Sequence, residues 1–208
     1  NEMKADWLVT ENGVCSPCKR LRDWDLLAQE YRLYRFLTEV EDTLRLAASQ
    51  GKDEKSFLST LRMLVRKLIL NCYAVKALIP EPNPKTATAA VMLYDELGFP
   101  LTIQIESHLP GTISSIHNHG IWGIVAVLEG QQKNIFWKRD PTAEFPNKIE
   151  YVGEKIIAPE EMISFTTEAI HQIEAVGNEP TATLNLYGET QAHKRFQFDR
   201  ARHTAKPF

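Results

Sequence analysis

His117 and His119 flank one asparagine in the stretch Gly111-Thr-Ile-Ser-Ser-Ile-His117-Asn-His119-Gly-Ile-Trp-Gly123, and His171 stands alone much further along the chain. Side chains alternate across a pleated strand, so an His-x-His pair puts two imidazoles on one face, with Cβ atoms roughly 6–7 Å apart. That spacing lets both rings lean onto one metal ion. A third histidine from a distant strand completes a facial set of nitrogens with open positions on the other side. Structural metal sites are closed by four ligands, so this set suits a reactive metal. Of the remaining histidines, His108 and His203 read as surface or internally satisfied residues.

The elements that must position these rings are short strands. Pro110-Gly111 precedes the pair, Gly120 and Gly123 follow it, and Glu129-Gly130 closes the next apolar run, so glycine stands wherever the backbone must bend. Leu101-Thr-Ile103-Gln-Ile105-Glu106 alternates strictly, as a half-buried strand does. Further strands are expected at 89–94, 124–128, 134–138, 149–157, 162–165, 170–176, 182–187 and 195–198, most of them separated by Gly, Pro, Asn or Asp. Short strands at this spacing predict a β-sandwich or barrel and exclude a parallel βαβ sheet.

Before the strands the period is helical. Trp24, Leu27, Tyr31, Tyr34, Leu37 and Leu44 predict one helix, with Asp23 as its cap and Gly51 as its stop. Phe57, Leu58, Leu61, Leu64, Val65, Leu68, Ile69 and Cys72 predict a second, capped by Asp53. Pro80, Pro82 and Pro84 then break the pattern. The expectation is an N-terminal helical segment over 1–84 packed on a β-barrel over 85–208, one structural domain overall.

The chain of 208 residues is 43% hydrophobic, enough for a sizeable core, and its 24 basic against 27 acidic residues give a net charge of −3 without a run of one sign. That balance points to neither nucleic acid nor a membrane surface as partner. No stretch reaches the roughly 18 apolar residues of a membrane helix, and the first residues lack the basic-then-apolar pattern of a secretory signal. Three cysteines are an odd number and too few for a disulfide framework, so a reducing, cytoplasmic setting is expected. Cys15-Ser-Pro-Cys18 has redox or half-zinc spacing, yet no second such pair exists and no strand is expected before it; it reads as a surface-loop pair. Trp122 and Trp137 read as core.

The histidine stretch resembles the first motif of the cupin superfamily: a glycine, five residues, His-x-His, a glutamate ligand after a short gap, and a closing glycine. Gly111, His117, His119 and Gly130 match, His171 matches the histidine of the second motif, and the glutamate positions hold Gly123 and Ile124. A three-histidine cupin without the carboxylate resembles the cysteine dioxygenase type I family, the thiol dioxygenases. Helices before the barrel agree with it, as does Tyr73-Ala-Val-Lys76, where that family has a Tyr-x-Arg-type segment. Thr183-Leu-Asn185-Leu-Tyr187 is similar to the family's Ser-x-His-x-Tyr strand, whose phenol points at the iron.

The resemblance implies a mainly β fold: a double-stranded β-helix (jelly-roll) barrel with the N-terminal α-helices packed against it. It implies Fe(2+) held by His117, His119 and His171, with Tyr187 as the catalytic phenol. Thr183 and Asn185 fall on the substrate side. Val75 stands where an arginine would hold the substrate carboxylate, so Lys76 and Arg195 are the residues expected to take over that task. Gly123 or Ile124 stands where animal members carry a cysteine cross-linked to the tyrosine, so no thioether forms. The implied reaction is oxidation of a small thiol, of the cysteine or mercapto-acid class, by O₂ to a sulfinic acid, by a monomer or small homo-oligomer. The same ligands also suit a cupin dioxygenase that cleaves carbon–carbon bonds of diketone-like or phenolic substrates, or a non-catalytic metal-binding or sensing cupin.

Overall fold

A computed structural model of the chain describes residues 5–21, 29–96, 100–189 and 191–208. The described chain opens with a hairpin of β1 (Asp6–Val9) and β2 (Cys15–Cys18) and continues through α1 (Leu33–Gln50), α2 (Glu54–Asn71) and the short α3 (Tyr73–Ala77). Strands follow almost without interruption. One sheet runs β2, β1, β9 (Met162–Phe165), β6 (Gly123–Glu129), β11 (Thr181–Gly188), β4 (Leu101–His108), β3 (Thr88–Asp95). The facing sheet runs β13 (Thr204–Pro207), β12 (Phe196–Asp199), β5 (Ile116–Asn118), β10 (Ile170–Val176), β7 (Gln131–Arg139), β8 (Ile149–Ile157). From β4 to β12 the chain passes repeatedly from one sheet to the other, which is the cupin-type jelly roll expected from the sequence. All nine expected strands form.

The helices cover the outer face of the β6/β11/β4 region. Ile103, Ile105, Ile124, Leu184 and Leu186 project there and pack with Leu58, Leu61 and Leu68 of α2 in one buried cluster. Asp53 caps α2 by accepting a hydrogen bond from the Ser56 amide at 2.9 Å, and Gly51 ends α1, both as expected. The start of the first helix differs. Asp23, Trp24 and Leu27 lie outside the described residues, and α1 begins only at Leu33. Its buried side chains are Phe36, Val40 and Ala47, while Tyr34, expected on the buried face, is 81% exposed.

The segment 1–84 is not purely helical. β1 pairs in parallel with β9, so the N-terminal hairpin extends the barrel's own sheet. The Cys15–Cys18 loop is therefore a strand. Residues three apart on a strand face opposite ways. Cys15 packs towards the apolar cluster between the sheets, where burial pushes its thiol up to about 11, and Cys18 faces Arg62 and Asp6 on the helix side. Both thiols are free. Asp6, buried beneath the helices, pairs with Arg66 and Arg20, and Arg62 donates to Ser164 at 2.6 Å. These contacts tie α2 to β1 and β9. No helix among the described residues is long and apolar enough to cross a membrane.

Candidate metal centre

His117 lies on β5, directly opposite His171 of β10 in the antiparallel register, and His119 follows one residue beyond the strand end. The three rings meet between the two sheets, with all their ligating nitrogens within 4.8 Å of one another. Nε2 of His119 and Nε2 of His171 are 3.3 Å apart, the separation of two nitrogens each bound at roughly 2.1 Å to a common ion.

Second contacts fix the rings. Nδ1 of His117 donates to the Ser115 carbonyl oxygen at 2.8 Å, which leaves Nε2 bare for a ligand. Nδ1 of His171 lies 3.2 Å from Oδ1 of Asn134, whose own amide donates to Gln132 at 2.9 Å and is thereby held in that orientation. Such outer partners set tautomer and basicity in metal sites. Asn134→Ala is expected to weaken metal affinity by roughly 10–100-fold without disturbing the fold. Competition with a chromophoric chelator checks this, and unchanged affinity would show that the amide has no part in holding His171.

The rings are neutral. Burial holds His119 and His171 well below the ordinary value of 6.5, and the neighbouring rings push them further the same way. Burial also lowers His117, against the opposing pull of its bond to Ser115. A neutral imidazole offers the lone pair that a cation needs, so the donor set fits a divalent metal. The sign of the pH dependence follows. The unfolded chain takes up protons below about 6.5 that the buried rings refuse, so metal-free protein should lose stability as pH falls through that value. Thermal melts of the metal-free protein between pH 5 and pH 8 read this directly, and a flat midpoint would contradict it.

The asparagine between the histidines points the other way and places a further residue. Asn118, buried, donates to the Lys194 carbonyl at 3.0 Å and accepts from the Phe196 amide at 2.7 Å. This staples the 194–196 segment beside the rings and sets Arg195 at their side. Gly120, at φ +67°, lies so close to that segment that an added Cβ would meet the Lys194 carbonyl oxygen at 2.7 Å. Arg195 sits with its guanidinium carbon 4.8 Å from the Phe208 ring centre, and the Phe208 ring stacks on His117 at 5.3 Å.

The rings open into a cavity of about 590 Å³ between the sheets. Tyr187, Asn185 and Arg195 line it. The Tyr187 ring stacks on His119 at 4.4 Å, and burial together with the nearby Glu106 carboxylate holds its phenol well above the usual range, so it stays protonated. Gly123 pairs with Tyr187, and a Cβ there would meet the phenol ring at 2.7 Å, while Ile124 turns outward into the helix-covered core. Neither position offers a carboxylate to the metal.

Two expected residues are placed elsewhere. Thr183 shares the inward face of β11 but lies fully buried outside the cavity lining, and Lys76 is exposed on α3, away from the cavity. Lys76 is carried off because Val75, not the lysine, turns into the core between α3 and the sheet. The sequence reading passed over Gln104, Glu106 and His108, which line the cavity from β4. His108 is thus neither a surface nor a satisfied residue: both ring nitrogens are buried without a hydrogen-bond partner.

No family model matches the sequence, and no curated protein matches it either. Among solved structures, oxalate oxidase in complex with glycolate is similar at a TM-score of 0.42 with 14% identity, over 55% of this chain and 57% of that one. TT1209 from Thermus thermophilus gives 0.42 and 16% over 55% and 92%, and a cupin-2 domain protein from Rhodospirillum rubrum, Rru_A2000, gives 0.38 and 18% over 54% and 67%. This chain therefore spans little more than half the length of oxalate oxidase. The conclusion of the geometry is a cupin-type barrel with a three-histidine metal centre.

Proposed function

We propose that the protein is an iron(II)-dependent dioxygenase of the thiol dioxygenase type, converting a small thiol and O₂ into the sulfinic acid. The observation that carries this reading is the ligand set: three neutral histidines, without a carboxylate, beside a protonated tyrosine stacked on one of them. In the balanced reaction RSH + O₂ gives RSO₂H; both oxygen atoms pass to sulfur, which loses the four electrons that dioxygen gains. No external reductant enters. His117, His119 and His171 would hold the iron, and because they leave its charge uncompensated it would favour a soft anionic thiolate and bring O₂ next to it.

The chain's own residues supply position and polarity. Val125 and Ile173 give the cavity an apolar patch among its polar lining residues. The Tyr187 hydroxyl, kept protonated, would donate a hydrogen bond to oxygen at the reacting end as a donor fixed in place before the reaction. Arg195, held by the Asn118 staple, presents a fork suited to an oxyanion such as the developing sulfinate.

The test is oxygen uptake by iron-loaded protein with a panel of small thiols, and with diketones as the opposing arm. Thiol-dependent uptake, with one O₂ consumed per thiol and a sulfinate product, is the expected result. Uptake with diketones alone, or none with any thiol, overturns the proposal.

A further inference from the structure

We infer that Phe208 is a specificity-determining residue: its ring closes the metal cavity on the His117 side and sets how bulky a ligand can reach the ion. What Phe208 does there depends on the three-histidine centre and not on the reaction proposed for it.

Each of the three ligand rings has an aromatic ring against it. Phe165 lies 4.3 Å from His171, Tyr187 lies 4.4 Å from His119, and Phe208 lies 5.3 Å from His117. The first two belong to β9 and β11 in the sheet across the cavity. Phe165 is 3% exposed and packs in the core between the sheets. Phe208 differs in both respects. It follows directly on β13, the edge strand of the histidine sheet, and it is 48% exposed although it lines the cavity. A ring that borders the ligands and also meets solvent stands at a mouth of the cavity.

The ring is held there by its neighbours. It lies 12° from parallel to the His117 ring. The Phe208 amide donates to the Arg195 carbonyl oxygen at 3.0 Å, and the Arg195 guanidinium carbon sits 4.8 Å from the ring centre. The Asn118 staple sets Arg195 in turn, so the asparagine between two ligands also places the ring that covers one of them. The strand that carries the ring is slight by comparison. β13 has four residues, pairs with β12, and exposes Thr204, Lys206 and Pro207. Small ligands pass beside such a ring. A larger one meets it, or must displace it against these contacts, and is bound less tightly for that reason.

Cobalt(II)-loaded protein titrated with imidazole and with 4-phenylimidazole tests this, because the visible absorption of the ion reports ligand binding without any turnover. The unaltered protein should bind imidazole more tightly than its phenyl derivative. Phe208→Ala should tighten 4-phenylimidazole by about tenfold or more and leave imidazole within about twofold, since only the larger ligand feels the relief of a steric conflict. Phe208→Trp should keep the exclusion. A residue that merely supported His117 would change cobalt retention and both affinities together, and that outcome overturns the inference. So does an unaltered protein that binds the two ligands alike. Oxygen uptake with thiols is read separately, so the thiol reading and the role of Phe208 can fail independently.

Discussion

Replacing His117 with alanine is expected to reduce bound metal to background while the fold survives. The loss should exceed the roughly 10–100-fold expected for outer-shell changes such as Asn134→Ala, because a ligand itself is gone and two nitrogens cannot complete the set. His119 and His171 would remain, 3.3 Å apart, with nothing to close the third position. The fold should tolerate the change because the ring borders an existing cavity, so its removal widens a space that water already reaches. Truncation of a sealed core residue would instead leave an empty void. Elemental analysis after purification, with circular dichroism as the control on folding, decides it. Full metal content would refute the three-ligand site.

Tyr187→Phe is expected to leave metal content and stability nearly unchanged and to lower turnover on the order of 10²-fold, the usual cost of removing one fixed donor from a reacting oxygen. Phenylalanine keeps the ring that stacks on His119 at 4.4 Å and fills the space beside Gly123, so the packing persists. What disappears is one O–H donor, held protonated by burial and by Glu106. The measurement is kcat alongside metal per chain. Equal turnover with equal metal would reduce the hydroxyl to a packing detail, and a parallel fall of both would make it a support for the ligands.

These two variants separate holding from reacting. Both depend on β5, β10 and β11 meeting across the barrel, and so on the jelly roll itself. The helices contribute at one remove: they seal the outer face of β6, β11 and β4, leaving the inner face of those strands for chemistry. That division explains why Ile103 and Ile105 are apolar while Gln104 and Glu106 between them are polar.

Much of this was legible in the chain itself. His-x-His on a strand places two rings together by pleat geometry alone, and Thr183, Asn185 and Tyr187 share a face for the same reason. Capping by Asp53 and termination at Gly51 follow from backbone hydrogen bonding within a few residues. Periodicity of two located nine strands, because it records which side of each strand is apolar.

Periodicity does not say what lies opposite the polar side. Thr102, Gln104, Glu106 and His108 alternate as a solvent-facing row would, and the structure turns them inward to a cavity wall. The N-terminal hairpin escaped the sequence for a related reason: strands of four residues carry little periodic signal, and β1 is held by pairing with β9 at the far end of the chain. Arg195 reaches the site and Lys76 does not, although the sequence offers both as candidates for the same task; the Asn118 staple holds one beside the rings, and burial of Val75 directs the other to solvent. Local spacing by itself thus determined the His-x-His pair, the tyrosine face and the strand-rich class of fold, and His171 joined the pair through the resemblance to the second cupin motif. Tertiary structure decided the cavity, its polar wall and the choice of Arg195 over Lys76, because each arises from contacts between distant segments that no local pattern encodes.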